Sequence, residues 1–152
     1  MKQRDQVAMT ATEIADFLAS GRKVQLATIN RDGTPHLVAM YYTLLGGQIA
    51  FWTYRAAQKA RNLARDPRVS CLVETGEQYF DLRGVQVSGT VRCVEEPEAV
   101  RGIGRRIAAG LAAAPGSSLE EYVEHAARKR AGFIVAPTRI ISWDHRKLIS
   151  GH

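Results

Sequence analysis

Three β-prone runs joined by two tight-turn signals constrain this chain more than any other feature. Lys23–Asn30 (KVQLATIN), His36–Thr43 (HLVAMYYT) and Gln48–Thr53 (QIAFWT) are rich in β-branched and aromatic residues. Asp32-Gly33 separates the first two, and Gly46-Gly47 separates the second from the third. Both pairs tolerate the positive φ that a tight hairpin demands. Connections this short join antiparallel neighbours, because a parallel return needs a crossover of a dozen or more residues. The three runs therefore form an antiparallel meander. Val69, Cys71 and Val73 alternate as in a strand with one buried face. Tyr79–Val94 reads as a long β-stretch, with Gly84 and Gly89 marking bends or bulges. Gly132–Ala136 and Arg139–Trp143 read as closing strands around Pro137.

Helices interrupt the strands. Thr10 and Glu13 have capping-box spacing, Ile14, Phe17 and Leu18 share one helical face, and Gly21 ends the segment. Ala56–Arg65 (AAQKARNLAR) is a short helix stopped by Asp66-Pro67. Pro97–Ala114 and Ser118–Arg130 read as two helices divided at Pro115-Gly116. A meander interrupted by helices, without βαβ alternation, belongs to the α+β or mainly-β class and not to a doubly wound sheet. No repeat or linker divides the chain, so residues 1–152 are expected to form a single domain.

Composition narrows the function. A hydrophobic fraction of 45% and a charged fraction of 24% suit a folded chain. The net charge of +6 admits nucleic acid, an anionic membrane or an anionic small molecule as partner. Nucleic acid is disfavoured because basic and aromatic residues do not interleave and no recognition-helix motif is present. The N-terminal MKQRDQVAMT lacks the apolar core of a signal peptide, and the apolar stretch Ile107–Ala114 is too short to span a bilayer. A soluble cytoplasmic protein that avoids membranes is expected. Cys71 and Cys93 lack metal-binding spacing and fall in apolar runs, so both are expected as buried free thiols. Gly102-Ile103-Gly104 does not follow a strand and is no dinucleotide fingerprint. His36 reads as a hydrogen-bonded structural histidine. His125 and the Arg101, Arg105, Arg106 face read as solvated.

Thr53–Val73 is the segment that carries chemistry. A strand ending in Thr53-Tyr54-Arg55 runs straight into a helix. A helix start presents unpaired N–H groups and partial positive charge. Arg55 stands just before that start, Lys59 lies one turn in, and Thr53 adds a hydroxyl. Spacing alone leaves two readings open. The set is either a phosphate site or the solvated basic face of a helix carrying Arg55, Lys59, Arg61 and Arg65.

The motifs Asp32-Gly33-Thr34-Pro35, Trp52-Thr53, Gln58-Lys59-Ala60-Arg61-Asn62-Leu63 and Asp66-Pro67-Arg68-Val69 resemble the pyridoxamine 5'-phosphate oxidase-like family. These are the FMN- and deazaflavin-binding split β-barrels. The resemblance runs from about residue 20 to residue 147. It implies a split barrel with peripheral helices, a homodimer, and a cofactor site built between two barrels. By position, Lys59 matches the lysine that binds the cofactor phosphate, and Thr53, with Tyr54 beside it, matches a phosphate- or ribityl-contacting position. Gln58 stands where the oxidases often carry arginine. Val38, Ala39 and Met40 match the strand whose backbone lines the ring system. Trp143, in Ser142-Trp143-Asp144-His145-Arg146-Lys147-Leu148, matches a tryptophan near the cofactor, usually across the dimer interface. The Arg-Leu-His pattern of true pyridoxamine phosphate oxidases is missing, which argues against that substrate. The helix and the C-terminal run look most like the branch that uses coenzyme F420, with FMN as the alternative. The implied reaction is hydride transfer to an unsaturated small-molecule substrate, with no catalytic side chain assigned. A flavin- or heme-binding protein without turnover is the competing expectation.

Overall fold

A computed structural model describes residues 1–111 and 118–149. Among the described residues twelve helices and strands follow one another, with two 3-10 turns. Helices α1 (Gln3–Val7) and α2 (Ala11–Ser20) lead into β1 (Lys23–Ile29), β2 (Pro35–Tyr41), β3 (Thr43–Leu45) and β4 (Gln48–Tyr54). Helix α3 (Gln58–Arg65) links β4 to β5 (Arg68–Thr75), and β6 (Arg83–Val94) follows. Helices α4 (Pro97–Ala109) and α5 (Leu119–Ala127) precede β7 (Arg130–Asp144). The 3-10 turns are Tyr79–Asp81 and His145–Leu148.

All pairings are antiparallel, in the order β2-β1-β5-β6-β7-β4-β3. The two outermost strands, β2 and β3, are separated in sequence by Tyr42 alone. Opposite edges of one sheet can be that close only if the sheet curls on itself, which makes it the split barrel that the resemblance implied. The expected strand His36–Thr43 is broken at this residue. Tyr42 donates its N–H to Arg22 O (3.0 Å) and its buried hydroxyl to Leu18 O (2.5 Å), so the chain bends inward there. Desolvation pushes the Tyr42 phenol up to about 12, which keeps it a neutral donor.

Inside the curl, Val24, Leu26, Phe51, Val85 and Val135 pack as the main core. Phe51 and Phe133 stack with centroids 5.3 Å apart. Outside, α4 lays Ile103 and Ile107 over Ala50, Trp52 and Ile134, forming a second core on the outer face of β4 and β7.

Several boundaries differ from the sequence reading. Residues Tyr79–Asp81 turn before β6 begins, with Asp81 N–H bonded to Gln78 O. The two closing strands are one strand, β7, which passes through Pro137 at a bulge. The register skips Thr138 there, and its hydroxyl donates to Ser88 O. Gly89 faces that bulge so closely that a Cβ would lie 2.1 Å from Ala136 O. Helix α3 begins at Gln58, two residues later than expected, and α5 ends at Ala127. Helix α1 and the C-terminal 3-10 turn, too short for a periodic signal, were not expected. The expected end of the first long helix and its break at Pro115-Gly116 lie outside the described residues. Cys71 is a buried thiol, as expected, but Cys93 is exposed, because the end of β6 runs past its pairing with β5 and is flanked there by β7 alone.

Candidate functional site

Helix α3 is fixed to the barrel by its buried side. Asn62 is fully buried and donates to Thr28 Oγ1 (3.0 Å) and Asn30 Oδ1 (2.9 Å) of the first hairpin. Its own oxygen accepts from Gln58 and Arg65. These bonds use every polar atom of the amide, so the helix has one seating on β1. The other end of α3 is bare. Ala57 at the N-cap provides no side-chain cap, so the first N–H groups of the helix have no local partner.

That end points into a cleft of about 440 Å³ beside the edge of β2. Ala39, Met40 and Tyr41 form one wall and Trp52, Thr53 and Tyr54 the floor, with Lys59 at the α3 end. Gly104 of α4 makes the floor possible, since a Cβ there would lie 2.4 Å from the Trp52 ring. Tyr122 of α5 and Arg130 of β7 close the far side. Lys23, Lys59 and Arg130 bring three cations to the lining, which contains no carboxylate. Lys59 is half-buried and forms no ion pair or hydrogen bond among the described residues. Burial pulls its ammonium below the usual lysine range, the mark of a cation that has lost water without gaining a counter-charge.

The structure brings together Lys59, Thr53, Tyr54, Ala39 and Met40 of the residues singled out in the sequence. Thr53 is only 5% exposed. The other four lie elsewhere. Val38 packs against the barrel core. Gln58 turns back to Asn62 and Arg61. Arg55 donates to the carbonyls of Arg128 and Arg130 (2.9 and 3.0 Å) just past α5, and so acts as a clasp on that helix end. Trp143 lies against Gly84 on the far flank of the sheet. Sequence reading missed Arg130, Tyr122, Lys23 and Gly104. Only the register of β7 on β4, which sets Arg130 opposite Tyr54, brings Arg130 to the cleft. The hydrogen bond expected of His36 is not made at Nδ1, which is buried without a partner among the described residues. Arg101 and Arg105 are engaged with Glu98, and Arg105 also with Glu120, in a network that ties α4 to α5.

Residues 10–144 match the family described as pyridoxamine 5'-phosphate oxidase. The chain belongs to this family. Among solved structures, a conserved hypothetical protein from Mycobacterium tuberculosis is 43% identical, with a TM-score of 0.90 over 100% of this chain and 95% of that one. A structure titled F420 reductase is 25% identical, with a TM-score of 0.62 over 82% of this chain and 93% of that one. HutZ, the heme storage protein of Vibrio cholerae, shares the fold at 18% identity, with a TM-score of 0.68 over 87% and 94% of the two chains. A search of curated proteins gave no match. The family includes oxidoreductases, and a flavin-type cofactor fits the fold and the cleft of this chain.

Proposed function

We propose that the chain is an oxidoreductase that uses coenzyme F420, with FMN as the alternative cofactor, and reduces an unsaturated small molecule. The observation that carries this reading is Lys59: a half-buried cation without a partner among the described residues, at an uncapped helix start, in a cleft whose lining holds no carboxylate. Such a site is built for a phosphate, and Thr53 lies beside it. Trp52, Tyr54 and Tyr41 supply flat apolar surface for a ring system. The similarity to a structure titled F420 reductase supports the deazaflavin over FMN. The bound cofactor would supply a hydride to an electron-poor double bond. The chain would bind its phosphate, orient the ring against Trp52 and Tyr41, and exclude water beneath α4.

The cleft opens along the edge of β2, beside a sheet face that no helix covers among the described residues. We place a second copy of the chain on that face, so that the site lies between two barrels. With a twofold axis along β5, the β2 edge of one protomer faces the β6–β7 edge of its partner. That arrangement is how Trp143, remote from the cleft of its own chain, reaches a cofactor.

Lys59→Gln tests the phosphate assignment. Fluorescence titration with coenzyme F420 and with FMN is expected to show about ten-fold weaker binding or more, the worth of one charge-assisted bond, at an unchanged melting temperature. Wild-type affinity should fall as pH rises, beginning below the ordinary lysine range, because only the ammonium binds and its pKa is lowered. Unchanged affinity in the variant would remove Lys59 from the site.

A further inference from the structure

The cleft has a second cationic centre, built differently from the first. Arg130 opposes Tyr54 in the β4–β7 register, and its Cζ lies 4.0 Å from the Tyr54 ring centroid and 5.1 Å from that of Trp52. One guanidinium nitrogen donates to Ala126 O at 2.7 Å, near the end of α5. Two rings and a carbonyl thus hold the guanidinium in place, while most of its five donors keep no partner among the described residues. On its other side Arg130 borders a separate cleft that holds Glu95 and Glu124, yet it pairs with neither. Lys59 is a point charge at a helix start. Arg130 is a planar, preorganised fork of the kind that suits a carboxylate or a phosphate. A ligand with one anionic group needs only one of them.

Building on the deazaflavin reading, we infer that Arg130 is a specificity-determining residue: it receives a second anionic group of the cofactor, a carboxylate of the acidic tail that coenzyme F420 carries beyond its phosphate and that FMN lacks. The cleft then prefers the cofactor with two separate anionic groups, because only that cofactor engages both cations. Seating on Tyr54 and Trp52 lowers the ordering cost of the contact, since the side chain is already held before the ligand arrives.

Titration of wild type, Arg130→Gln and Arg130→Lys with coenzyme F420 and, separately, with FMN tests the assignment. Arg130→Gln is expected to weaken coenzyme F420 by about ten-fold or more and FMN by less than about two-fold. Arg130→Lys, which keeps the charge, should recover part of the coenzyme F420 affinity and shows that the fold survives at this position. Equal losses for both cofactors would overturn the assignment and move Arg130 to the shared ring or phosphate. So would unchanged affinity for coenzyme F420. If wild type binds neither cofactor, the deazaflavin reading fails, and the Arg130 Nε–Hε NMR signal under inorganic phosphate decides the anion site separately. A saturable shift that persists in Lys59→Gln keeps Arg130 as an anion-binding residue. A signal that does not move ends that role as well.

Discussion

The cleft depends at residue scale on which atoms are left out as much as on which are present. Gly104 is the clearest case. It carries ordinary helical backbone, so conformational freedom does not explain it; the Trp52 ring does. A methyl group there would sit 2.4 Å from the indole, and either α4 must lift or the ring must tip into the cleft. Gly104→Ala is therefore expected to destabilise the protein by about 1–3 kcal/mol, the usual cost of overpacking. Urea denaturation measures that loss, and the cofactor titration should show weaker binding in the same variant. Wild-type stability together with wild-type binding would mean that the indole does not rest where the structure places it. The same residue shows what sequence can disclose about this site. Lys59, Thr53 and Tyr54 were legible because strand end, helix start and family motif fall in one continuous run. Arg130 and Gly104 reach the cleft through strand register and helix packing, which no local spacing encodes. Arg55 looked equivalent to Lys59 by sequence distance, but the carbonyls past α5 compete for its guanidinium and win.

At the scale of elements, the placement of α3 fixes the placement of Lys59. Asn62 holds the middle of the helix, and the turn that leaves it is held by Asp66. The Asp66 carboxylate accepts from Arg68 N–H and from its guanidinium (2.7 Å at the shortest), which lowers its pKa to about 2 from 3.8. A carboxylate with a lowered folded-state pKa adds stability above its unfolded-state pKa and loses it as pH falls through the folded value. Asp66→Asn should thus melt below wild type at neutral pH, and the gap should narrow below about pH 4 and close near pH 2. Thermal melts across that range measure it; a gap that stays constant with pH would assign the cost to shape and not to charge. Because Arg68 is exposed and Asp66 is only partly buried, the effect is expected to be small. The elements themselves were largely readable. The capping box of α2 is present as the sequence predicted, with Glu13 N–H bonded to Thr10 Oγ1 and Thr10 N–H to Glu13 Oε1. The breaks were less readable. Tyr42 divides a run with uniform β character because a tertiary bond to Leu18 O draws it inward, and Pro137 sits within a strand because a bulge removes the need for its N–H.

For the whole molecule, the distribution of covering helices over the outer face of the sheet is uneven. Helix α4 covers β4 and β7. Helices α2 and α3 neighbour β6 and β1, but their Phe17, Leu18, Ala60 and Leu63 belong to the inner core, which leaves the outer faces of β2, β1, β5 and β6 without a helix among the described residues. Across that bare half the register aligns Ala39, Gln25, Leu72, Gln86 and Ile141 in one row, without a charge. The next row begins with Leu37, 68% exposed, beside Ala27. The flanking rows bring Arg139 on one side and Lys23 and Glu74 on the other, so the uncharged strip is one row wide with Leu37 beside it. An apolar strip rimmed by charge is the kind of surface a stable self-association buries, on the order of 800 Å² from each partner. Leu72 is the middle residue of its row, so a twofold axis along β5 sets it against its own copy. Leu72→Asp then opposes two carboxylates at the centre of the interface while leaving the barrel core untouched, because the side chain projects away from Val73 and Cys71. Light scattering after gel filtration is expected to give twice 16.8 kDa for the wild type and 16.8 kDa for Leu72→Asp, with the variant's circular dichroism unchanged. In the proposed dimer the partner's edge completes the cleft, so cofactor affinity should fall together with the mass. A monomeric wild type would remove the shared site, and a monomeric variant that binds cofactor as tightly as the dimer would confine the whole site to one chain.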